Sequence, residues 1–264
     1  RWNKQGEWWY GVVGENVLKI CQIGNDLEFE NVDVGFVKSY FGLYDDLFMV
    51  LSQISKDKHI TRAIEAFNGL RILRQDPWEC LISYICATYK NISAIKQMLS
   101  NLSKKFGNKV NFNGHDFYTF PTPERLAKAA TNELAKCGLG YRAKYISKTA
   151  KIVYENGFEF ERLRKMPYEK AKEELLNFPG VGLKVADCVL LFSLEKLEAF
   201  PVDVWIKRVI LKYYASHFPE EFISEILDKK SLTNSEYGKL SLFGRKYFGE
   251  YAGCLLYTSD AADE

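Results

Sequence analysis

The chain has 264 residues, 47% apolar and 15% aromatic, enough to bury a substantial core in one large or two modest domains. Its net charge of +2 carries no strong basic field, and no run of 18 apolar residues or signal-peptide pattern points to a membrane. The six cysteines, Cys21, Cys80, Cys86, Cys137, Cys188 and Cys254, form no CxxC pair, which argues against a disulfide scaffold, a zinc site or an iron–sulfur cluster and fits a reducing cytosol.

Residues 8 to 31 carry β-branched and aromatic runs broken by Gly14-Glu15-Asn16 and Gly24-Asn25-Asp26, which predicts an antiparallel meander. From about 34 the pattern becomes helical. The stripes Phe36, Val37, Tyr40, Phe41 and Leu47, Phe48, Val50, Leu51, Ile54 read as core helices packing under the sheet. Asp76 before Pro77 predicts a helix start, with Asp76 as N-cap and the proline at the first helical position. The stretch Gly107 to Pro123 reads as a long loop. At 137 to 146, CGLGYRAKYI, Gly138 and Gly140 break one helix and start another, presenting Tyr141 and Arg142 at an exposed bend beside Lys144 and Lys148.

The stretch Leu176 to Asp203, LNFPGVGLKVADCVLLFSLEKLEAFPVD, organises the rest. Its Pro179-Gly180-Val181-Gly182 turn joins two apolar, helix-periodic segments, a helix-hairpin-helix at about 168–193. Gly180 and Gly182 leave the backbone bare at a helix N-terminus, where a phosphate can approach without meeting a Cβ, and Val181 lies between them in the same candidate binding turn. Lys184 falls in the first turn of the second helix, an unfavourable end for a cation, and Cys188 four residues on shares its face. Asp203 precedes an apolar helix from Val204 to Tyr214 and fits two readings: a simple N-cap, or a carboxylate held to face an amine.

PGVGLKVADC followed by FPVDVWIKRV resembles the helix-hairpin-helix (HhH-GPD) DNA glycosylase superfamily and, within it, the bifunctional 8-oxoguanine DNA glycosylase family. The resemblance implies an α+β, mostly α fold: a small N-terminal antiparallel β-sheet domain over 1–70, then helical glycosylase domains over 71–253. It implies that Lys184 is the nucleophile and Asp203 the catalytic carboxylate. The chemistry agrees with the residue types. An amine partly desolvated between helices loses proton affinity and can attack the sugar C1′, and a carboxylate can stabilise the cationic sugar as the base departs. The resulting Schiff base permits β-elimination, which nicks the strand.

By the same resemblance, Cys188 and Phe192 would line the base pocket, and the carbonyls of Phe178 and Val181 would hold a monovalent cation, K+ or Na+. No other cofactor is expected. RILRQDPWECLISYICATYKNI, 71 to 92, matches another family block, but three asparagines are usual where this chain has Tyr89-Lys90-Asn91. Tyr89 either plugs the gap left by the extruded base or belongs to the core, and Asn91 lies beside it. An arginine that reads the opposite cytosine in some members would fall at Ala94. Tyr141 is the family's wedge between bases, and Arg142 its contact to the estranged base. Trp205 fits a phosphate contact through its indole N–H or buried packing equally well.

The implied partner is duplex DNA carrying oxidised guanine or an abasic site, bound by a monomer with no membrane role, in the cytoplasm of a prokaryote or the nucleus of a eukaryote. Two alternatives stay open: a monofunctional alkylated-base glycosylase, against which Lys184 argues, and a non-catalytic helix-hairpin-helix DNA-binding module, which needs neither Lys184 nor Asp203. The chain opens on Arg1-Trp2, all that would remain of the family's GQxFRW segment, so the first strand of the sheet is expected upstream. The string CLLYTSDAADE, 254–264, matches what a sequencing adapter would encode and is expected to be a non-native tail.

Overall fold

The structure is a computed structural model that describes residues 2–255. An antiparallel sheet of four strands, Trp2–Gln5, Trp8–Val13, Asn16–Ile23 and Asp26–Glu30, runs in chain order, with Trp9 opposite Ile20 and Ile20 opposite Phe29. Its two-residue turns place Gly6, Gly14 and Gly24 at φ near +60°, the hairpin geometry that glycine accepts without a Cβ penalty. The strands expected from residue 8 are present. Trp2–Gln5 adds an edge strand that the pattern did not reveal, held where the Trp2 ring lies flat on Gly11; a Cβ at Gly11 would fall 2.6 Å from Trp2 Cδ2.

The expected loop at 107–123 is corrected. It contains a hairpin, Lys109–Phe112 paired with His115–Tyr118, whose turn Asn113-Gly114 has φ of 50° and 77°. Asn-Gly is the residue pair such a turn demands, so the signal was in the sequence.

By its internal contacts the chain divides into two units. The first holds the chain to Tyr40, Gln75–Arg162 and Asn177–Gly180; the second holds Phe41–Arg74, Leu163–Leu176 and the chain from Val181. This division follows packing and interleaves, whereas a change of pattern at 70 marks a position along the chain. The core of the first unit gathers Leu18, Leu81, Ile82, Ile85, Leu102, Leu126, Leu139 and Ile146; that of the second gathers Ile54, Leu163, Leu175, Val189, Leu190 and Leu240. Helix Leu47–Ile54 therefore corrects the expectation of a helix under the sheet: it belongs to the second unit, with Val50 and Ile54 buried and Phe48 exposed. In the first unit Asp76 caps helix Pro77–Ala87, accepting from the Glu79 amide at 2.8 Å, and Trp78 donates to the Pro121 carbonyl at 2.9 Å.

All six cysteines are free thiols, and five are buried. Cys254 and Leu255 close a 3-10 turn, Gly249–Leu255, in which Leu255 is buried; the remainder of the expected tail, 256–264, lies outside the described residues. No helix among the described residues is long and apolar enough to cross a membrane.

Candidate functional site

The hairpin consists of helix Tyr168–Leu176, the turn, and helix Leu183–Ser193. Its two glycines do different work. Gly180 has φ +83°, and a Cβ there would fall 2.8 Å from Tyr145 Cδ2 and 3.0 Å from Cγ, so this position needs both glycine's left-handed backbone and its bare face. The turn is further seated in the first unit by Thr149, whose hydroxyl donates to the Pro179 carbonyl at 3.4 Å, and by Phe178, whose ring meets Phe158 edge-on at 4.9 Å. Gly182 has ordinary extended backbone, φ −102°, with nothing within 4 Å of its Cβ position. It is the N-cap of helix Leu183–Ser193, and no side chain caps that helix, so the first-turn amides are left to an outside acceptor.

Lys184 is exposed in that first turn, while Cys188 is 3% exposed and Phe192 half-buried. This corrects one expectation. Lys184 is exposed and not desolvated between helices of its own unit; Cys188, one turn further along the same face, is buried, as are Ala186 to Leu191 around it. Asp203 is half-buried and caps helix Val204–Tyr213, its Oδ1 accepting from the Ile206 amide at 2.9 Å. The capping reading is thus observed, and it fixes the carboxylate without consuming its second oxygen among the described residues. Trp205 is exposed, not packed in the core, with the Arg208 guanidinium 4.7 Å from its ring centroid.

Asp187, a residue that the motifs do not single out, is a fully buried carboxylate on the lysine's helix. It accepts from Tyr168 Oη at 2.5 Å, Tyr237 Oη at 2.6 Å and Lys172 Nζ at 2.9 Å. Burial first, then the Asp187 charge, pushes both phenols above their ordinary range, so they remain protonated donors. The available signal was an acid in the middle of the apolar run Val185 to Phe192; Tyr237, fifty residues on, gave none.

In the first unit, Tyr89 and Tyr141 both stand out into solvent, Tyr89 at 85% exposure, which excludes a core role for Tyr89. Tyr89 has φ 53°, a left-handed conformation that costs a bulky residue about 1–3 kcal/mol. Asn91 caps helix Ile92–Phe106 by accepting from the Ala94 amide at 2.9 Å. Arg142 is corrected: it is 3% exposed, not presented at a bend. One guanidinium nitrogen donates to the Thr88 carbonyl, and its carbon lies 4.5 Å from the Tyr141 ring centroid, so the side chain props the Tyr89 turn from beneath. Gly138 and Gly140, φ +87° and +56°, break the helix as expected, ahead of helix Arg142–Glu155.

The proposed residues fall in two sets. Phe178, Gly180, Tyr89, Asn91, Tyr141 and Arg142 belong to the first unit; Val181, Gly182, Lys184, Cys188, Phe192, Asp203 and Trp205 belong to the second. No three His, Cys, Asp or Glu side chains among the described residues gather as a metal site.

The model of the 8-oxoguanine DNA glycosylase N-terminal domain matches residues 1–81, and that of HhH-GPD superfamily base excision DNA repair proteins matches 82–229. The chain belongs to the 8-oxoguanine glycosylase family of the HhH-GPD superfamily. Within this family it is 34% identical over 209 residues to a probable N-glycosylase/DNA lyase of Methanothermobacter thermautotrophicus, covering 71% of this chain and 67% of that protein. To the Saccharomyces cerevisiae N-glycosylase/DNA lyase it is 36% identical over 204 residues, 70% of this chain and 54% of that protein. It therefore spans about half to two thirds of these relatives' lengths. Among solved structures, the family's Clostridium acetobutylicum 8-oxoguanine glycosylase/lyase, in complex with duplex DNA containing cytosine opposite 8-oxoguanine, superposes with TM-score 0.86 at 31% identity, covering all of this chain and 89% of that one. The fold class expected from sequence, a small antiparallel sheet followed by helical HhH-GPD domains, is the one these relatives share.

Proposed function

We infer that this chain excises 8-oxoguanine from duplex DNA and nicks the resulting abasic site. The observation that carries the reading is an exposed lysine in the uncapped first turn of the hairpin's second helix, in a chain of this family. First-turn amides offer a phosphate oxygen hydrogen bonds and the positive end of the helix dipole, so affinity should be largely independent of base sequence and fall with salt. The damaged nucleotide is flipped out, because C1′ is beyond a lysine's reach inside the stack. The Lys184 amine bonds to C1′ as the N-glycosidic bond breaks, and the base leaves with that electron pair and takes up a proton. Asp203 stabilises the positive charge that builds on the sugar. Ring opening gives the Schiff base, and loss of the 2′ proton expels the 3′ phosphate.

Tyr89 and Tyr141 act as the wedges that take the flipped base's place, at about 1–3 kcal/mol of stacking per base. Ala94 lacks a side chain that could read the opposite base, and Arg142 is committed to Thr88. Excision is therefore expected to vary by less than about tenfold across the four opposing bases, and a strong cytosine preference in a duplex panel would refute this. Neutral carbonyls such as those of Phe178 and Val181 are hard oxygen donors that suit a monovalent cation, which would stiffen the turn. The deciding experiment is borohydride trapping on duplexes carrying 8-oxoguanine or an abasic site. Lys184→Gln is expected to abolish trapping on both while retaining DNA binding, and surviving trapping would remove Lys184 from the mechanism.

A further inference from the structure

The buried carboxylate of Asp187 lies three residues after Lys184, on the same helix. Two of its three donors, Tyr168 and Lys172, stand on helix Tyr168–Leu176, so the acid ties the hairpin's two helices together. The third, Tyr237, stands on helix Asn234–Phe248 and faces two ways: its hydroxyl donates to Asp187 and its oxygen accepts from the Val202 amide at 3.4 Å. Val202 immediately precedes Asp203. The same long helix meets that loop closely at a second point, since a Cβ at Gly244 would fall 2.3 Å from Phe200 Cδ1. The loop Phe200 to Asp203 is thus seated on helix Asn234–Phe248, and one hydroxyl connects that seat to the lysine's helix.

We propose that Asp187 and Tyr237 are positioning residues, holding the helix that carries Lys184 and the loop that carries Asp203 in one fixed relation. The inference rests on the catalytic reading of Lys184 and Asp203. An ion pair needed only for stability would be satisfied by Lys172. The Tyr237 hydroxyl adds a link that no element of the hairpin requires and that ends beside the second catalytic group. A buried carboxylate with three donors admits few alternative geometries, which is what a relation between two reacting groups demands.

The test compares two deletions of one hydroxyl from the same carboxylate. Tyr237→Phe severs the link to Val202; Tyr168→Phe removes an equivalent donor but leaves that link intact. Single-turnover excision of 8-oxoguanine, duplex affinity and melting temperature are measured for both and for wild type. Tyr237→Phe should lower the excision rate at saturating enzyme about tenfold to a hundredfold, with duplex affinity within twofold, so the loss falls on kcat and not on KM. Tyr168→Phe should lose similar thermal stability yet keep its rate within about threefold. Equal rate losses in the two variants, or a Tyr237→Phe rate within twofold of wild type, would overturn the positioning role. If Tyr237→Phe does not fold, Asp187→Asn, which keeps shape and acceptor oxygen, takes its place with the same expected loss and the same refuting result. A wild-type chain that neither excises nor traps on either duplex overturns the catalytic reading, and the positioning role with it.

Discussion

Replacing each hairpin glycine by alanine should separate folding from binding. At Gly180 an alanine must hold φ near +83°, at a cost of roughly 1–2 kcal/mol, and its methyl would press on Tyr145 Cδ2, Cγ and Cβ at 2.8, 3.0 and 3.2 Å. Those three atoms include the root of the side chain, so the whole ring must move, an overpacking cost of about 1–3 kcal/mol. At Gly182 the backbone is already ordinary and the methyl meets nothing within 4 Å. The poorer N-cap costs up to about 1 kcal/mol, and the stiffer unfolded chain returns a similar amount. At about 2–4 °C per kcal/mol for a chain of this size, Gly180→Ala should melt at least about 4 °C lower and Gly182→Ala close to wild type. In fluorescence anisotropy with labelled duplex the order reverses. The Gly182 methyl stands in front of the uncapped amides, and losing one charge-assisted hydrogen bond of about 1.5–3 kcal/mol weakens DNA binding roughly tenfold to a hundredfold. If both variants melt alike and bind alike, the two glycines are not distinct in the way described.

Asp203→Asn keeps a good N-cap, so its melting temperature should stay within about 2 °C of wild type while excision slows by orders of magnitude; Asp203→Ala should cost about 1 kcal/mol as well. An asparagine variant that melts as low as the alanine would reduce Asp203 to a cap. Tyr89→Asn relieves a left-handed aromatic residue, since asparagine tolerates φ 53°, and should raise stability by about 1 kcal/mol in denaturant titration while excision falls. A destabilised Tyr89→Asn would show that the tyrosine is not strained. Lys229 first, and then the Thr233 amide, hold the buried Glu236 carboxyl down at about 2 against the ordinary 4.5. A carboxyl held low in the folded state stabilises above its unfolded value and loses that contribution as pH falls, here from about 4.5 towards 2. Melting curves across that window should steepen for wild type and flatten for Glu236→Gln, and parallel slopes would contradict the assignment.

The parts of the molecule set by neighbours along the chain were legible in the residues. Asp76-Pro77 caps and starts a helix, Gly138 and Gly140 break one, and the apolar stripes on either side of Pro179 become the hairpin, because each depends on a few adjacent residues. The Asn113-Gly114 hairpin is equally local, but its strands are only four residues long, too short for a clear alternating pattern. What escaped was set at a distance. Arg142 looks like a surface charge until the Thr88 carbonyl, fifty-four positions away, is found beneath it. Asp187 could be marked as odd from its apolar surroundings, but its partners lie on two other helices. Phe48 continues an apolar stripe and yet faces outward, because period alone does not say which unit a helix packs with.

The free thiols bear on the conditions in which such a protein works. Guanine is oxidised when peroxide and its radicals are abundant, and the form of cysteine they attack is the thiolate. Burial pushes the Cys86 thiol up to about 12 and raises those of Cys137 and Cys21. At neutral pH a thiol at 12 is ionised in only about one molecule in 100,000. The packing around Cys86, Cys137 and Cys21 therefore also keeps these three thiols protonated at neutral pH and slow to react with peroxide.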